Sequence, residues 1–191
     1  MRRVPMHASL VYCALLAVCA VTAAAGTPQP AGISLGGAAP DFKLKNLSGE
    51  EVALSQKLAG GPVLIDFWAT WCKPCLRALP GTEELHKKYA DRGLTVLTVN
   101  VDSPRSSAKV RSYVKSKGYS FEVLLDANSE MMRLYHFKSI PQVFLVDADG
   151  TIAYSHLGYA PGNERRLAEE IEKLLDAGAG EESGADETDQ S

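Results

Sequence analysis

The chain has 191 residues, 46% of them hydrophobic and 23% charged, and its 20 Lys and Arg against 23 Asp and Glu leave a net charge of -3. These values suit one globular domain with a core and some sequence left over at the ends. No basic patch is present, which excludes nucleic acid as a partner.

The left-over sequence is terminal. Arg2 and Arg3 precede an uncharged segment from Ala8 to Ala25 that ends in Ala23-Ala24-Ala25, the pattern of a secretory signal peptide cleaved near Ala25. Uncleaved, a segment of that length would serve as a membrane anchor, and Leu16-Ala17-Val18-Cys19 forms a poor lipobox. Residues 26–38 are Gly-, Pro-, Ala- and Ser-rich and read as a flexible linker. From Ala177 to Ser191 the Gly, Ala and acidic residues have nothing to bury, so an acidic disordered tail is expected. The domain therefore spans residues 39–176. Losing Arg2 and Arg3 with the leader takes the net charge from -3 to -5, most of it in the tail at Glu181, Glu182, Asp186, Glu187 and Asp189.

Within the domain, Asp41-Phe42-Lys43-Leu44-Lys45, the turn around Asn46 to Gly49, and Val52-Ala53-Leu54 read as a β-hairpin. Val63 to Trp68 is apolar except for Asp66, which predicts a strand covered on both faces with one odd carboxylate in it. A helix follows from Cys72 to about Tyr89, burying Leu76, Leu79, Leu85 and Tyr89, kinked at Pro80 and stopped by Gly93. Leu94 to Asp102 is a second buried strand. Ser103-Pro104 then opens a helix as N-cap and first turn, carrying Val110, Tyr113 and Val114 and ending at Gly118. Phe121 to Asp126 is a short strand, and a short helix through Met131, Leu134 and Tyr135 leads to Ile140-Pro141. Pro141 to Asp147 and Thr151 to Leu157 form an antiparallel hairpin around Asp149-Gly150. Glu164 to Asp176 closes the domain as an amphipathic helix with Leu167, Ile171, Leu174 and Leu175 inward.

The chemistry is concentrated in Trp71-Cys72-Lys73-Pro74-Cys75. A cysteine at a helix N-terminus meets unpaired N–H groups and the positive end of the helix dipole, which favours its thiolate, so Cys72 is the expected nucleophile. Cys75 lies about one turn further in, close enough to close a disulfide with Cys72 and to resolve a mixed disulfide. Pro74 fits the first turn, where its missing N–H costs nothing, and Lys73 adds positive charge beside Cys72. With Cys13 and Cys19 inside the leader, the mature chain keeps only this pair, which reads as a redox couple rather than a structural framework. A zinc half-site would need two more ligands, and His86, His136 and His156 have no paired spacing; no metal and no cofactor is expected.

Phe67-Trp68-Ala69-Thr70-Trp71-Cys72-Lys73-Pro74-Cys75, Pro80, and Ser139-Ile140-Pro141-Gln142-Val143-Phe144-Leu145-Val146-Asp147 with its Asp149-Gly150 turn carry a resemblance. On them the chain resembles the thioredoxin superfamily, and within it the TlpA/ResA-like extracytoplasmic thiol-disulfide oxidoreductases, over roughly Ala39 to Leu175. The resemblance implies an α/β thioredoxin-like fold: a central mixed sheet flanked by helices, with an N-terminal β-hairpin and a helix-strand insertion from about Ser103 to Asp126. It also implies that Asp66 is a buried proton acceptor for Cys75, its pKa raised by desolvation. The plainer reading of Asp66 is a carboxylate satisfied by backbone N–H groups. ResA-like members tend to carry a glutamate three residues after the second cysteine, and Ala78 stands there.

Ile140-Pro141 matches the superfamily's cis-proline loop, where the Ile140 backbone pairs with substrate; the plainer reading is a proline that starts an edge strand. Trp71 is expected as an apolar docking rim and Trp68 as core. The implied function is a periplasmic, monomeric reductant of disulfides in exported proteins, of the cytochrome c maturation or copper-site assembly type. Its implied partners are protein dithiols or disulfides and a membrane electron donor or other thiol-disulfide protein. A disulfide-forming oxidant is the alternative, and a copper-binding assembly protein is the alternative of another class. A peroxiredoxin would need Pro and Thr or Ser where Ile65 and Ala69 stand.

Overall fold

The computed structural model describes residues 33–184. The leader expected at 1–25, the first part of the linker and the end of the tail lie outside the described residues. β1 (Lys43–Asn46) and β2 (Glu51–Ala53) form a hairpin, α1 (Leu54–Leu58) follows, and β3 (Val63–Trp68) leads into α2 (Lys73–Tyr89). Next come β4 (Thr95–Asn100), α3 (Ser107–Lys117), β5 (Glu122–Leu125) and α4 (Glu130–Leu134), and then β6 (Gln142–Val146), β7 (Ile152–Leu157) and α5 (Asn163–Gly184).

The strands make one mixed sheet in the order β2-β1-β5-β4-β3-β6-β7. β3, β4 and β5 run parallel, while β6 and β1 join them antiparallel. All six residues of β3 are buried, as expected of a strand with helices on both faces. Alternation along β3 separates two cores. Phe67 packs among Tyr135, Phe137 and Phe144 on one face; Asp66 and Trp68 face the other, where Asp66 meets Thr82 of α2 and Trp68 meets Tyr113 of α3. The insertion has a structural task visible only here: its strand β5 lies between β4 and β1 and so joins the N-terminal hairpin to the sheet.

Four local expectations are revised. The end of the linker is held: Gly36 N–H donates to the Ile152 carbonyl, Ile152 N–H to that of Gly37, and Ala39 N–H to that of Gly150, because edge strand β7 offers unpaired backbone groups. Leu54 begins a one-turn helix rather than ending the hairpin strand. Ser103 does not cap α3 with its side chain, since its hydroxyl meets that of Ser106 3.3 Å away and a 3-10 turn, Pro104–Ser106, stands between Ser103 and the helix. Finally, α5 continues to Gly184 instead of stopping near Asp176; Ala177, Ala179, Glu181 and Glu182 are good helix formers that prolong a helix already nucleated by its packed half. Pro80 lies within a continuous α2, on its exposed side.

Glu83, on the buried face of α2, secures the approach to β5. It accepts from the Ser120 N–H at 2.9 Å, the Ser120 hydroxyl at 2.7 Å and the Phe121 N–H at 3.4 Å, and pairs with Lys87 at 2.9 Å. Burial works against its charge, but the Ser120 hydroxyl, Lys87 and the two N–H groups outweigh that and hold its pKa below the ordinary glutamate value. A depressed carboxylate pKa stabilises the fold above the unfolded-state value, and the contribution is lost as pH falls through the folded-state value. Glu83→Ala is therefore expected to lower the unfolding free energy by about 2 kcal/mol in urea titrations near neutral pH, where two N–H groups and a hydroxyl lose their acceptor. The difference from the parent should shrink in acid, and an equal loss at about pH 3 would contradict this account.

Candidate active site

The site forms at the carboxyl end of the parallel strands, where chain exits from β3 and β4 are clamped together. Asp102, just past β4, accepts from Thr70 N–H at 2.7 Å, the Thr70 hydroxyl at 2.8 Å and the Asn100 side-chain amide at 2.8 Å. This anchors the loop that delivers Trp71 and Cys72. Sequence reasoning missed Asp102, although a carboxylate ending a buried apolar strand was a signal for it.

Cys72 occupies the N-cap of α2 with extended backbone, φ -84° and ψ 92°. Its Sγ accepts from the Cys75 N–H at 3.2 Å, and its carbonyl accepts from Leu76 N–H. Pro74 carries no N–H, so the N–H of Cys75 is the one turned toward the sulfur. No acidic residue lies in the first turn to offset the positive helix end. Cys72 and Cys75 are joined by a disulfide with Cα atoms 5.2 Å apart. Cys72 is 5% exposed and Cys75 1%, so an incoming group meets Cys72 first.

The Ile140–Pro141 bond is cis, and the Ile140 carbonyl oxygen lies 3.8 Å from Cys72 Sγ. Pro141 does not start an edge strand: β6 lies between β3 and β7. Trp71 is 65% exposed, and with Ile140, Ser139, Lys138, Met132 and Val101 it borders a groove of about 320 Å³ beside the disulfide. Trp68 is fully buried, its indole N–H without a partner among the described residues. Lys73 is exposed.

Asp66 is 1% exposed. Its Oδ2 accepts from the Thr82 hydroxyl at 2.8 Å, while Oδ1 has no partner among the described residues. The backbone-satisfied reading of this carboxylate is thus overturned: a single hydroxyl is its donor. Thr82 was legible only indirectly, through the i, i+4, i+7 spacing of Cys75, Leu79 and Thr82 on one face of α2. Desolvation raises the Asp66 pKa to about 6, with the Thr82 hydrogen bond pulling weakly the other way.

A sulfur that caps a helix, bonded to a second one turn below it and roofed by a proline loop, has one reaction open to it: exchange with another disulfide or dithiol. Fold and pair together define a thiol-disulfide oxidoreductase of the thioredoxin-like fold. The sequence matches the AhpC/TSA family over residues 35–155, and the chain belongs to that family. It is 42% identical to the thioredoxin-like protein YneN of Bacillus subtilis (strain 168) over 128 residues, 66% of this chain and 74% of that one. It is 35% identical to the thiol-disulfide oxidoreductase ResA of Geobacillus kaustophilus (strain HTA426) over 124 residues, 65% of this chain and 70% of that one. Among solved structures, a candidate DsbE thiol:disulfide interchange protein from Chlorobium tepidum superposes with TM-score 0.69 at 33% identity, covering 75% of this chain and 99% of the other.

The raised pKa of Asp66 is also a statement about stability. An acid whose pKa is higher folded than unfolded costs stability once pH exceeds the unfolded-state value, and the cost is complete above the folded-state value, here about 6. Asp66→Asn, which keeps an acceptor for Thr82, is expected to stabilise the protein at pH 8 by up to about 3 kcal/mol, with the gain vanishing near pH 4. Thermal unfolding at the two pH values checks this; equal melting shifts at both would contradict it.

Proposed function

We propose that this protein reduces disulfides of exported proteins, with Cys72 as the attacking sulfur, Cys75 as the resolving sulfur and Asp66 as the proton acceptor of Cys75. The observation that carries the assignment is the placement of Cys72 Sγ on the N–H of Cys75 at the positive end of α2, beside the more deeply buried Cys75. Thiolate at Cys72 is favoured there, while Cys75 needs a base to become nucleophilic. Thr82, the donor to Asp66, shares the buried face of α2 with Cys75, which puts the carboxyl on the side of the helix where Cys75 lies. Trp71 and the Ile140 backbone receive an extended segment of the substrate, Pro141 roofs the pair, and Lys73 and Pro74 support the first turn.

The direction of electron flow rests on the resemblance to TlpA/ResA-like reductants, which also supplies the cytochrome c maturation or copper-site assembly type of substrate. The Arg-Arg leader pattern supports an extracytoplasmic, periplasmic location with a membrane or thiol-disulfide protein as electron donor. Among the described residues no helix is long and apolar enough to cross a membrane.

Two measurements test the reading. In insulin reduction driven by dithiothreitol, Cys72→Ser is expected to fall to the uncatalysed rate and Cys75→Ser to accumulate a mixed disulfide on Cys72; turnover without Cys72 would remove the assignment. Equilibration with glutathione is expected to give a potential at or below about -220 mV, and a value near about -120 mV would reverse the direction to that of an oxidant.

A further inference from the structure

Once Asp66 has taken a proton from Cys75, exchange of that proton with solvent needs a route, because the carboxyl is buried. The sheet register points to one. Asp66 is paired in register with Val143 on β6, and Val143 with His156 on β7. Directly opposed residues on neighbouring strands share a face, so Asp66 and His156 stand on the same face two strand spacings apart, about 10 Å. Both residues line a pocket of about 40 Å³, walled also by Ala78, Pro141 and Leu167. That volume holds two or three waters. Oδ1 of Asp66, buried and without a partner among the described residues, is the acceptor such water would fill.

The other titratable groups facing the pocket are Tyr154 on β7, Tyr159 in the following loop and Glu164 on α5. Of the side chains facing it, an imidazole is the one that can accept a proton on one ring nitrogen and release it from the other. The Glu164 carboxylate is already engaged, accepting from Gly162 N–H at 3.3 Å. The His156 ring is held in place: Tyr154 stacks on it with centroids 6.4 Å apart, and Asn163 meets Nε2 at 2.6 Å, which leaves Nδ1 for water.

We propose that His156 is the proton relay of this site, joined to Asp66 by water in the pocket between β7 and α5; this rests on the reading of Asp66 as proton acceptor. In the mixed disulfide, Cys75 gives its proton to the Asp66 carboxylate and its sulfur attacks Cys72 Sγ. The Cys72–Cys75 bond forms as the bond from Cys72 to the substrate sulfur breaks, and the electron pair leaves on the substrate thiolate. Two electrons have then passed from the protein dithiol to the substrate disulfide. The proton on Asp66 moves through the pocket water to His156 Nδ1 and from there to solvent.

The test is the rate of mixed-disulfide resolution, followed in multiple turnovers with oxidised glutathione as substrate and dithiothreitol as the reductant that restores the dithiol, at low buffer concentration between pH 5.5 and 8.5 and with the uncatalysed exchange subtracted. His156→Phe keeps the stack on Tyr154 and removes the relay; it is expected to be slowed about tenfold around pH 6 to 7 with its equilibrium potential unchanged. His156→Gly is expected to be slowed likewise and restored at least halfway by added imidazole, and Ala78→Met, which fills the pocket from the α2 side, should slow resolution without responding to imidazole. Parent-like rates for folded His156→Phe, with Asp66→Asn slow, would overturn the relay and leave Asp66 in place. Parent-like rates for Asp66→Asn itself would remove both. A loss in the His156 variants that is equal at every pH and indifferent to imidazole marks a packing role only and also overturns the proposal.

Discussion

A single N–H group pointing at a sulfur governs this structure. The Cys75 amide reaches Cys72 Sγ only if the first turn of α2 starts at Cys72, and that start is imposed from outside the helix. Thr70 is tied to Asp102 through both its N–H and its hydroxyl, so the end of β3 and the end of β4 advance together into the site. Further along, Glu83 grips the strand that follows α3, and the Tyr89 hydroxyl donates to Glu172 of α5. The helix is therefore pinned at its start, middle and end. Its dipole is aimed at one sulfur while the other is sunk beneath it.

The same sheet carries a feature that works against stability. A carboxyl in the middle strand, satisfied by one hydroxyl, costs free energy whenever it is ionised. An apolar residue in its place would serve the fold better. Ala78, three residues after Cys75, contributes a small side chain to the wall of the pocket that Asp66 also lines.

The thioredoxin-like plan was readable because its signals are local. An apolar run, a Cys-x-x-Cys at a helix start and an Ile-Pro before a strand each declare themselves within a few residues. The buried side of α2 was legible from its spacing, and Trp71 and Trp68 divided as expected between surface and core. Hydrogen-bond partners were harder. Asp102, Glu83 and Thr82 are ordinary polar residues in sequence, and each gains its meaning from a donor or acceptor 16 to 37 positions away. Misread ends had a similar cause: residues 36–38 resemble a linker until the exposed edge of β7 pairs with them.

What the sequence by itself determined was the kind of chemistry: two sulfurs one helical turn apart, an acid within an apolar strand, and a proline loop further on, all of them consequences of short-range spacing. Only the tertiary structure decided how those groups are tuned. It brought His156 into line with Asp66 across three strands, left one carboxyl oxygen without a donor among the described residues, and inserted β5 to join the hairpin to the sheet. The reason is physical: desolvation and hydrogen bonding depend on which residues meet across strands, and sheet pairing order has no counterpart in the linear spacing of residues.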